Sequence, residues 1–175
     1  ERMELPTDGA FTGTVADLNN DGYDDLIIAN QYNGVSNDVY AQIYYGSPEG
    51  MSEKRMMKLW APSSTGVTVG DFNGDGRKDI AFISRGKLRI FYQEEYGFRA
   101  NGYIDLDIDG KIQSIDSEDL DSDGYADLVV KLMNSDIKIF WGGPGGISVE
   151  DSVCINDLMS NKDVAGNLID KAASG

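Results

Sequence analysis

One nine-residue pattern occurs three times in this chain and constrains its fold more than any other feature. In its clearest copy, residues 71–79, oxygen-bearing side chains occupy positions 1, 3, 5 and 9, and glycine occupies position 6. The copies begin at Asp17, Asp71 and Asp119, so they are 54 and 48 residues apart. A single Asp-Gly pair is a common turn signal, but three copies in register at this spacing indicate a repeat architecture.

The pattern is typical of a calcium-binding loop. Ca2+ is a hard cation that takes about 6–8 oxygen ligands from carboxylates, amides and backbone carbonyls, and glycine permits the positive φ that bends the chain around the ion. Position 7 is tyrosine in two copies and arginine in the third, so we expect its backbone carbonyl to be the ligand there. We predict three Ca2+ ions, one per loop, with water completing each coordination shell. The candidate ligands are Asp17, Asn19, Asp21, Tyr23 and Asp25 in loop 1, Asp71, Asn73, Asp75, Arg77 and Asp79 in loop 2, and Asp119, Asp121, Asp123, Tyr125 and Asp127 in loop 3.

The sequence argues against an EF-hand and against a fourth calcium-binding loop. An EF-hand loop needs a bidentate glutamate at position 12 and a helix on either side, whereas position 12 here is Ile28, Phe82 or Val130. Residues 105–110 also follow the Asp-x-Asp-x-Asp-Gly spacing, but position 9 there is Gln113 rather than aspartate. We interpret this last segment as a strand that ends in an Asp-Gly turn.

Segments rich in β-forming residues before and after each loop predict the fold class. One such segment precedes each loop, a second follows it, and two more complete a unit of about 50 residues. Four short strands per unit are the pattern of a β-propeller, in which each blade is a four-stranded sheet. We predict an all-β protein with blades at about residues 10–60, 61–108 and 109–156 and the start of a fourth blade at 157–175.

Two apolar positions within the pattern predict how the loops are held. Positions 2 and 10 are apolar in every copy, so we expect both side chains to anchor the loop in the blade core. A loop that is closed within its own blade binds its ion independently. Replacing Asp75 by alanine should then weaken one site and leave the other two nearly intact.

The charge of the chain is concentrated in these loops. The 175 residues include 30 acidic and 15 basic side chains, which gives a formal charge of −15, and ten of the acids are candidate ligands. This acidity argues against nucleic acid as a partner, because nucleic-acid-binding proteins carry basic patches. The chain has no histidine, which excludes the usual His/Cys zinc site and a Ser-His-Asp triad.

Cysteine content and hydropathy exclude two further features. With Cys154 as its one cysteine the chain forms no internal disulfide, and we expect Cys154 to be a small buried strand residue. No apolar run reaches the roughly 20 residues of a membrane-spanning helix.

The three loops, together with the turns at 44–50 and 141–146, resemble the FG-GAP or VCBS-type repeats of the integrin α-subunit propeller superfamily. The resemblance implies a propeller of about seven blades, with Ca2+ in the loop between the first and second strands of each blade. It also implies an extracellular or cell-surface protein, often bacterial, that serves adhesion or binds a protein or carbohydrate ligand, usually at the opposite face or at the loops between blades.

Two other functions stay open on the sequence. The propeller could belong to a secreted polysaccharide-degrading enzyme, as its catalytic body or as an accessory domain, or it could be a structural spacer in a surface protein. Because function depends on sites grafted onto a fold and the chain offers no distinctive catalytic constellation, we predict no enzymatic activity, no catalytic residues and no organic cofactor for it.

Overall fold

The computed structural model describes residues 4–155. These residues form an all-β protein, with one short 3-10 turn at Glu53–Arg55. Twelve strands form three four-stranded antiparallel sheets, and within each sheet the strands lie side by side in chain order. Blade 1 contains β1 (Ala10–Ala16), β2 (Asp25–Asn30), β3 (Ala41–Tyr44) and β4 (Met56–Leu59). Blade 2 contains β5 (Ser64–Gly70), β6 (Asp79–Ser84), β7 (Lys87–Phe91) and β8 (Ile104–Leu106). Blade 3 contains β9 (Ile112–Glu118), β10 (Asp127–Leu132), β11 (Ile137–Phe140) and β12 (Ser152–Cys154).

The first strands of the three blades are neighbours. β5 lies beside β1 on one side and beside β9 on the other, so the blades fan outward from a row of inner strands. This arrangement confirms the prediction of four-stranded propeller blades. The segment 157–175, where we predicted the start of a fourth blade, lies outside the described residues, and the blade boundaries stay predictions.

Burial follows the position of each blade in the row. Blade 2 lies between the other two, and all six residues of its second strand, β6, are buried. β1 belongs to the first blade, and most of its residues are exposed, including Phe11 and Val15. The first strand of blade 2, β5, has no exposed residue, because β1 and β9 lie on either side of it.

Two apolar clusters hold the blades together. The blade 1–2 cluster joins Ile27 and Ile43 of blade 1 to Phe82 and Phe91 of blade 2. The blade 2–3 cluster joins Ile83 and Leu88 of blade 2 to buried residues of blade 3 that include Leu128, Val130 and Phe140. The core of the molecule therefore lies between its sheets. Burying each side chain of this size stabilises the fold by about 1.5–3 kcal/mol.

The structure also tests the predictions for residues 105–110 and for Cys154. Residues 104–106 form the edge strand β8, and a bend follows at Asp109 and Gly110. Asp105 accepts two hydrogen bonds of 2.7 Å from the Arg89 guanidinium, so the interpretation of 105–110 as a strand followed by a turn is confirmed. Cys154 lies in β12 as predicted but is half-buried rather than buried, because β12 is the outer edge of its sheet.

Within residues 4–155, no helix combines the length and the apolar character that crossing a membrane requires.

Candidate metal centres

Each of the three loops connects the first strand of a blade to the second, and the carboxylate at position 1 organises its turn. In loop 1, Asp17 accepts hydrogen bonds from the backbone amides of Asp21 and Gly22, at 3.1 and 2.9 Å. The corresponding four bonds in loops 2 and 3 measure 2.8–3.2 Å. One aspartate therefore gathers the amides of positions 5 and 6 in every copy.

The backbone of each loop takes a positive φ at two positions. Position 6 has φ between 82° and 92°, as the sequence predicts for Gly22, Gly76 and Gly124. Position 4 also lies in the left-handed region, with φ of 56° at Asn20 and 64° at Ser122. Sequence reasoning missed position 4, because asparagine tolerates this conformation without requiring it.

The aspartate at position 9 is the most buried acid of each loop. Asp25, Asp79 and Asp127 are no more than 1% exposed. One carboxylate oxygen of each accepts the backbone amide of position 2, at 2.9–3.1 Å. The other accepts, at 2.8 Å, a backbone amide two residues beyond the third strand of the same blade, and these donors are Gly46, Gln93 and Gly142.

This second link ties the Asp-rich loop to the end of the third strand, which the sequence prediction did not include. The signal for it lies in two glycines. A Cβ on Gly46 would come within 2.4 Å of the Asp24 carbonyl oxygen, and a Cβ on Gly142 within 2.4 Å of the Ala126 carbonyl oxygen. A side chain at either glycine would therefore clash with that carbonyl unless the backbone shifted, and in blade 2 the equivalent residue is Gln93, which donates the same bond to Asp79.

Burial raises the pKa of these carboxyls. Desolvation is the largest cause of the raised pKa of Asp25 and Asp127, and it raises the pKa of Asp79 to about 7. The backbone amides that donate to the three carboxylates lower the pKa, while neighbouring acids of the same loop raise it. A buried carboxylate surrounded by other acids favours a bound proton or a bound cation.

Loop 3 brings three carboxylates together. One oxygen from each of Asp119, Asp121 and Asp127 lies within 4.8 Å of the others, and burial raises the pKa of Asp121 as well. Asp123 lies outside this group, and its Oδ1 accepts the amide of Tyr125 at 2.9 Å. An all-oxygen donor set on a tight turn fits Ca2+ better than the softer metals that prefer sulfur or imidazole.

Loops 1 and 2 have asparagine at position 3, and its amide group donates to the position-5 carboxylate. The distances are 3.0 Å from Asn19 to Asp21 and 3.1 Å from Asn73 to Asp75. In loop 2 the guanidinium of Arg77 also forms a short ion pair with Asp75. We predicted only the backbone carbonyl of Arg77 as a functional group, so this side-chain role was missed.

The two apolar positions anchor the loops in the core, within the clusters that lie between neighbouring blades. At position 2, Leu18 belongs to the blade 1–2 cluster and Phe72 to the blade 2–3 cluster. At position 10, Ile80 belongs to the blade 1–2 cluster and Leu128 to the blade 2–3 cluster. Position 2 thus faces the following blade and position 10 the preceding one. Leu120, at position 2 of the last described blade, is 43% exposed, so the predicted anchoring is wrong for this residue.

The loops are also hydrogen-bonded across blades, so the expectation that each is closed within its own blade is wrong. The amide of Ala126 in loop 3 donates to the carbonyl of Asp71 in loop 2, at 2.8 Å. The amide of Gly143 donates to the carbonyl of Phe72 at 3.1 Å. Contacts of this kind join main-chain groups, which leave no mark in the sequence.

Comparisons with known proteins agree with this architecture. A family model described as an FG-GAP-like repeat matches residues 17–82 and 71–130, so each match starts at position 1 of a loop. Chicken (Gallus gallus) integrin alpha-6 is 29% identical over 170 residues, which cover 86% of this chain and 16% of that protein. Mouse (Mus musculus) integrin alpha-IIb is 36% identical over 89 residues, which cover 47% of this chain and 9% of that protein. The chain therefore spans less than a fifth of the length of either relative, and neither supports a bacterial origin.

Proposed function

The chain belongs to the family of proteins built from FG-GAP-like repeats, and from this premise we propose that it is a calcium-stabilised, extracellular ligand-binding module. In this proposal each loop binds one Ca2+ through the side chains of positions 1, 3, 5 and 9 and the backbone carbonyl of position 7. The ion stabilises the connection between the first and second strands, and the assembled blades present a surface to a protein or carbohydrate ligand.

The observation that carries the calcium proposal is the group of three carboxylates in loop 3. Two of these acids, Asp121 and Asp127, are at least nine-tenths buried, and their oxygens and one of Asp119 lie within 4.8 Å of one another. Each pair of like charges at about 4 Å costs about 1 kcal/mol even at the dielectric of water. A divalent cation turns this repulsion into attraction, and its binding free energy then contributes to folding.

A second set of residues supports ligand binding at the rim opposite the loops. The turns between the second and third strands lie at this rim, and three of their large apolar side chains are at least half exposed. Tyr32 is 50%, Val35 90% and Met133 67% exposed. Tyr32 and Val35 belong to one turn, in which the Tyr32 hydroxyl donates to the carbonyl of Gly34 at 2.8 Å. Exposed apolar groups that lie together are typical of interaction sites, so we propose this rim, with the blade 1 turn as its centre, as the ligand-binding face.

The calcium proposal is tested by thermal unfolding of the metal-free chain at increasing Ca2+. Sites of the extracellular class, with Kd of about 10⁻⁴–10⁻³ M, would each stabilise the chain by about 1.4–2.7 kcal/mol at about 10 mM Ca2+. We expect Tm to rise by at least about 3 °C, and to rise less with Mg2+, which demands octahedral geometry. A variant with alanine at position 1 of all three loops is the control and should show one Tm with and without Ca2+. An unchanged Tm of the parent chain in Ca2+ would contradict the proposal.

The ligand-binding proposal is tested on glycan arrays and with polysaccharide hydrolase and lyase assays, each run with Ca2+ and with chelator. Calcium-dependent binding that is lost in a Tyr32→Ser, Val35→Ser double variant is the expected result. Turnover of a polysaccharide would instead identify an enzyme. Binding that survives both substitutions would place the ligand elsewhere on the molecule.

A further inference from the structure

Gln93 is a buried glutamine that touches loops of two blades. It lies two residues beyond β7, and only 8% of its surface is exposed. Its side-chain amide donates to the carbonyl of Leu18 in loop 1 at 2.9 Å and to the carbonyl of Lys78 in loop 2 at 3.2 Å. Its backbone amide donates to Asp79 at 2.8 Å, and its carbonyl accepts from Nε of Arg77 at 3.0 Å.

These bonds connect candidate ligands of two different ions. Asp79, at position 9 of loop 2, accepts the backbone amide of Gln93. The Gln93 side chain then holds Leu18, whose own amide donates to Asp25, at position 9 of loop 1, at 2.9 Å. Two buried carboxylates in different blades are therefore joined through Gln93 and the backbone of Leu18.

The contacts between loops of adjacent blades differ at the two junctions of the described blades. At the junction of blades 2 and 3, two backbone amides of blade 3 bond to carbonyls of loop 2, and the Tyr125 ring lies so close to Gly74 that a Cβ would approach it to 2.2 Å. At the junction of blades 1 and 2, a cavity of about 440 Å³, bordered by Asn19, Tyr45 and Arg77, lies beside Gln93. Between blades 1 and 2 the Gln93 side chain thus supplies the hydrogen bond between adjacent loops. Between blades 2 and 3 the loops are connected by main-chain hydrogen bonds and the packed Tyr125 ring.

We propose that Gln93 is a positioning residue that couples Ca2+ binding in loop 1 to Ca2+ binding in loop 2, so that each ion raises the affinity for the other. This inference rests on the proposed calcium sites and adds a dependence between them. An ion that orders loop 2 fixes Asp79 and, through Gln93, the carbonyl of Leu18. Part of the ordering that loop 1 must undergo is then complete before its own ion binds, and the effect is reciprocal by thermodynamic linkage.

The test follows each loop separately by NMR during Ca2+ titration of the 175-residue chain. The amides of Gly22 and Gly76 donate to the position-1 carboxylates of their own loops, at 2.9 and 2.8 Å, so their resonances report loops 1 and 2. Asp75→Ala disables loop 2. We expect this change to lower the Ca2+ affinity of loop 1 by about fivefold or more in the parent chain, and by less than about twofold in the Gln93→Leu background.

A matched control separates coupling from general damage to the fold. Gln42 is a second buried glutamine, 3% exposed, and accepts a 3.0 Å hydrogen bond from Asn30 in blade 1. In the Gln42→Leu background, Asp75→Ala should still lower the affinity of loop 1 as in the parent chain.

Three results would overturn the inference. The first is a loop 1 affinity that ignores Asp75→Ala in the parent chain, and the second is an equal loss in the parent and Gln93→Leu backgrounds. Either one leaves the calcium sites standing and removes only the coupling. The third is no response to Ca2+ at either glycine, which removes the proposed sites and the coupling together.

Discussion

The aspartate at position 9 shows how one side chain serves both the fold and the proposed metal site. Its two oxygens accept backbone amides from position 2 and from the end of the third strand, so it closes the blade even without an ion. In loop 2 this carboxylate belongs to Asp79, whose pKa burial raises to about 7. The residue is thus both a structural acceptor and a group that is costly to ionise, and a cation would offset that cost.

This balance predicts a pH dependence of stability in the metal-free chain. The unfolded carboxyl has a pKa near 3.8 and the folded one about 7, so the folded state binds more protons in this window and stability falls as pH rises through it. Asp71 and Asp75, in the same loop, add to the raised pKa. We expect Asp79→Asn to reduce the loss of unfolding free energy between pH 5 and pH 8, measured by urea denaturation in chelator. Asp116→Asn, at an exposed site on β9, is the control and should lose as much unfolding free energy between pH 5 and pH 8 as the parent chain. A loss in Asp79→Asn that equals that of the parent chain would contradict the prediction.

The blades could be predicted from the sequence because strands and loops are local patterns. Alternating or apolar segments around three Asp-rich turns were enough to predict the four-stranded sheets, and glycine at position 6 was enough to predict the positive φ of each turn. The direction of the position-2 side chain could not be predicted, since an apolar residue fits its own sheet or the next sheet equally well. The bonds from Ala126 and Gly143 to loop 2 join main-chain groups far apart in sequence, and any residue other than proline could supply such an amide.

The observed direction of position 2 predicts unequal costs for equivalent substitutions. Phe72 is fully buried in the blade 2–3 cluster, whereas Leu120 is 43% exposed. We expect Phe72→Ala to lower the free energy of unfolding by about 3–5 kcal/mol and Leu120→Ala to lower it by less than about 1 kcal/mol. Denaturation in saturating Ca2+ measures both. Equal losses would show that position 2 anchors each loop within its own blade.

At the scale of the whole molecule, the negative charge is gathered at one rim. All three loops connect first to second strands, so the ten aspartates that are candidate ligands lie at the same end of the blades, in a chain with a formal charge of −15. Contacts between adjacent loops bring these charges closer still. Without cations the rim opposes the packing of the apolar clusters below it, and with cations it supports that packing.

Salt should therefore stabilise the metal-free chain more than the calcium-loaded one. Raising KCl from about 0.02 M to about 0.5 M shortens the Debye length from roughly 20 Å to about 4 Å and screens the repulsion between loops. We expect a gain of about 1 kcal/mol or more in chelator, comparable to one like-charge pair, and a smaller gain in Ca2+ at matched ionic strength. Asp121→Asn gives loop 3 the asparagine that loops 1 and 2 carry at position 3, so it should raise metal-free stability and reduce the response to salt. Equal responses to salt in chelator and in Ca2+ would mean that the loop charges do not govern the stability of the rim.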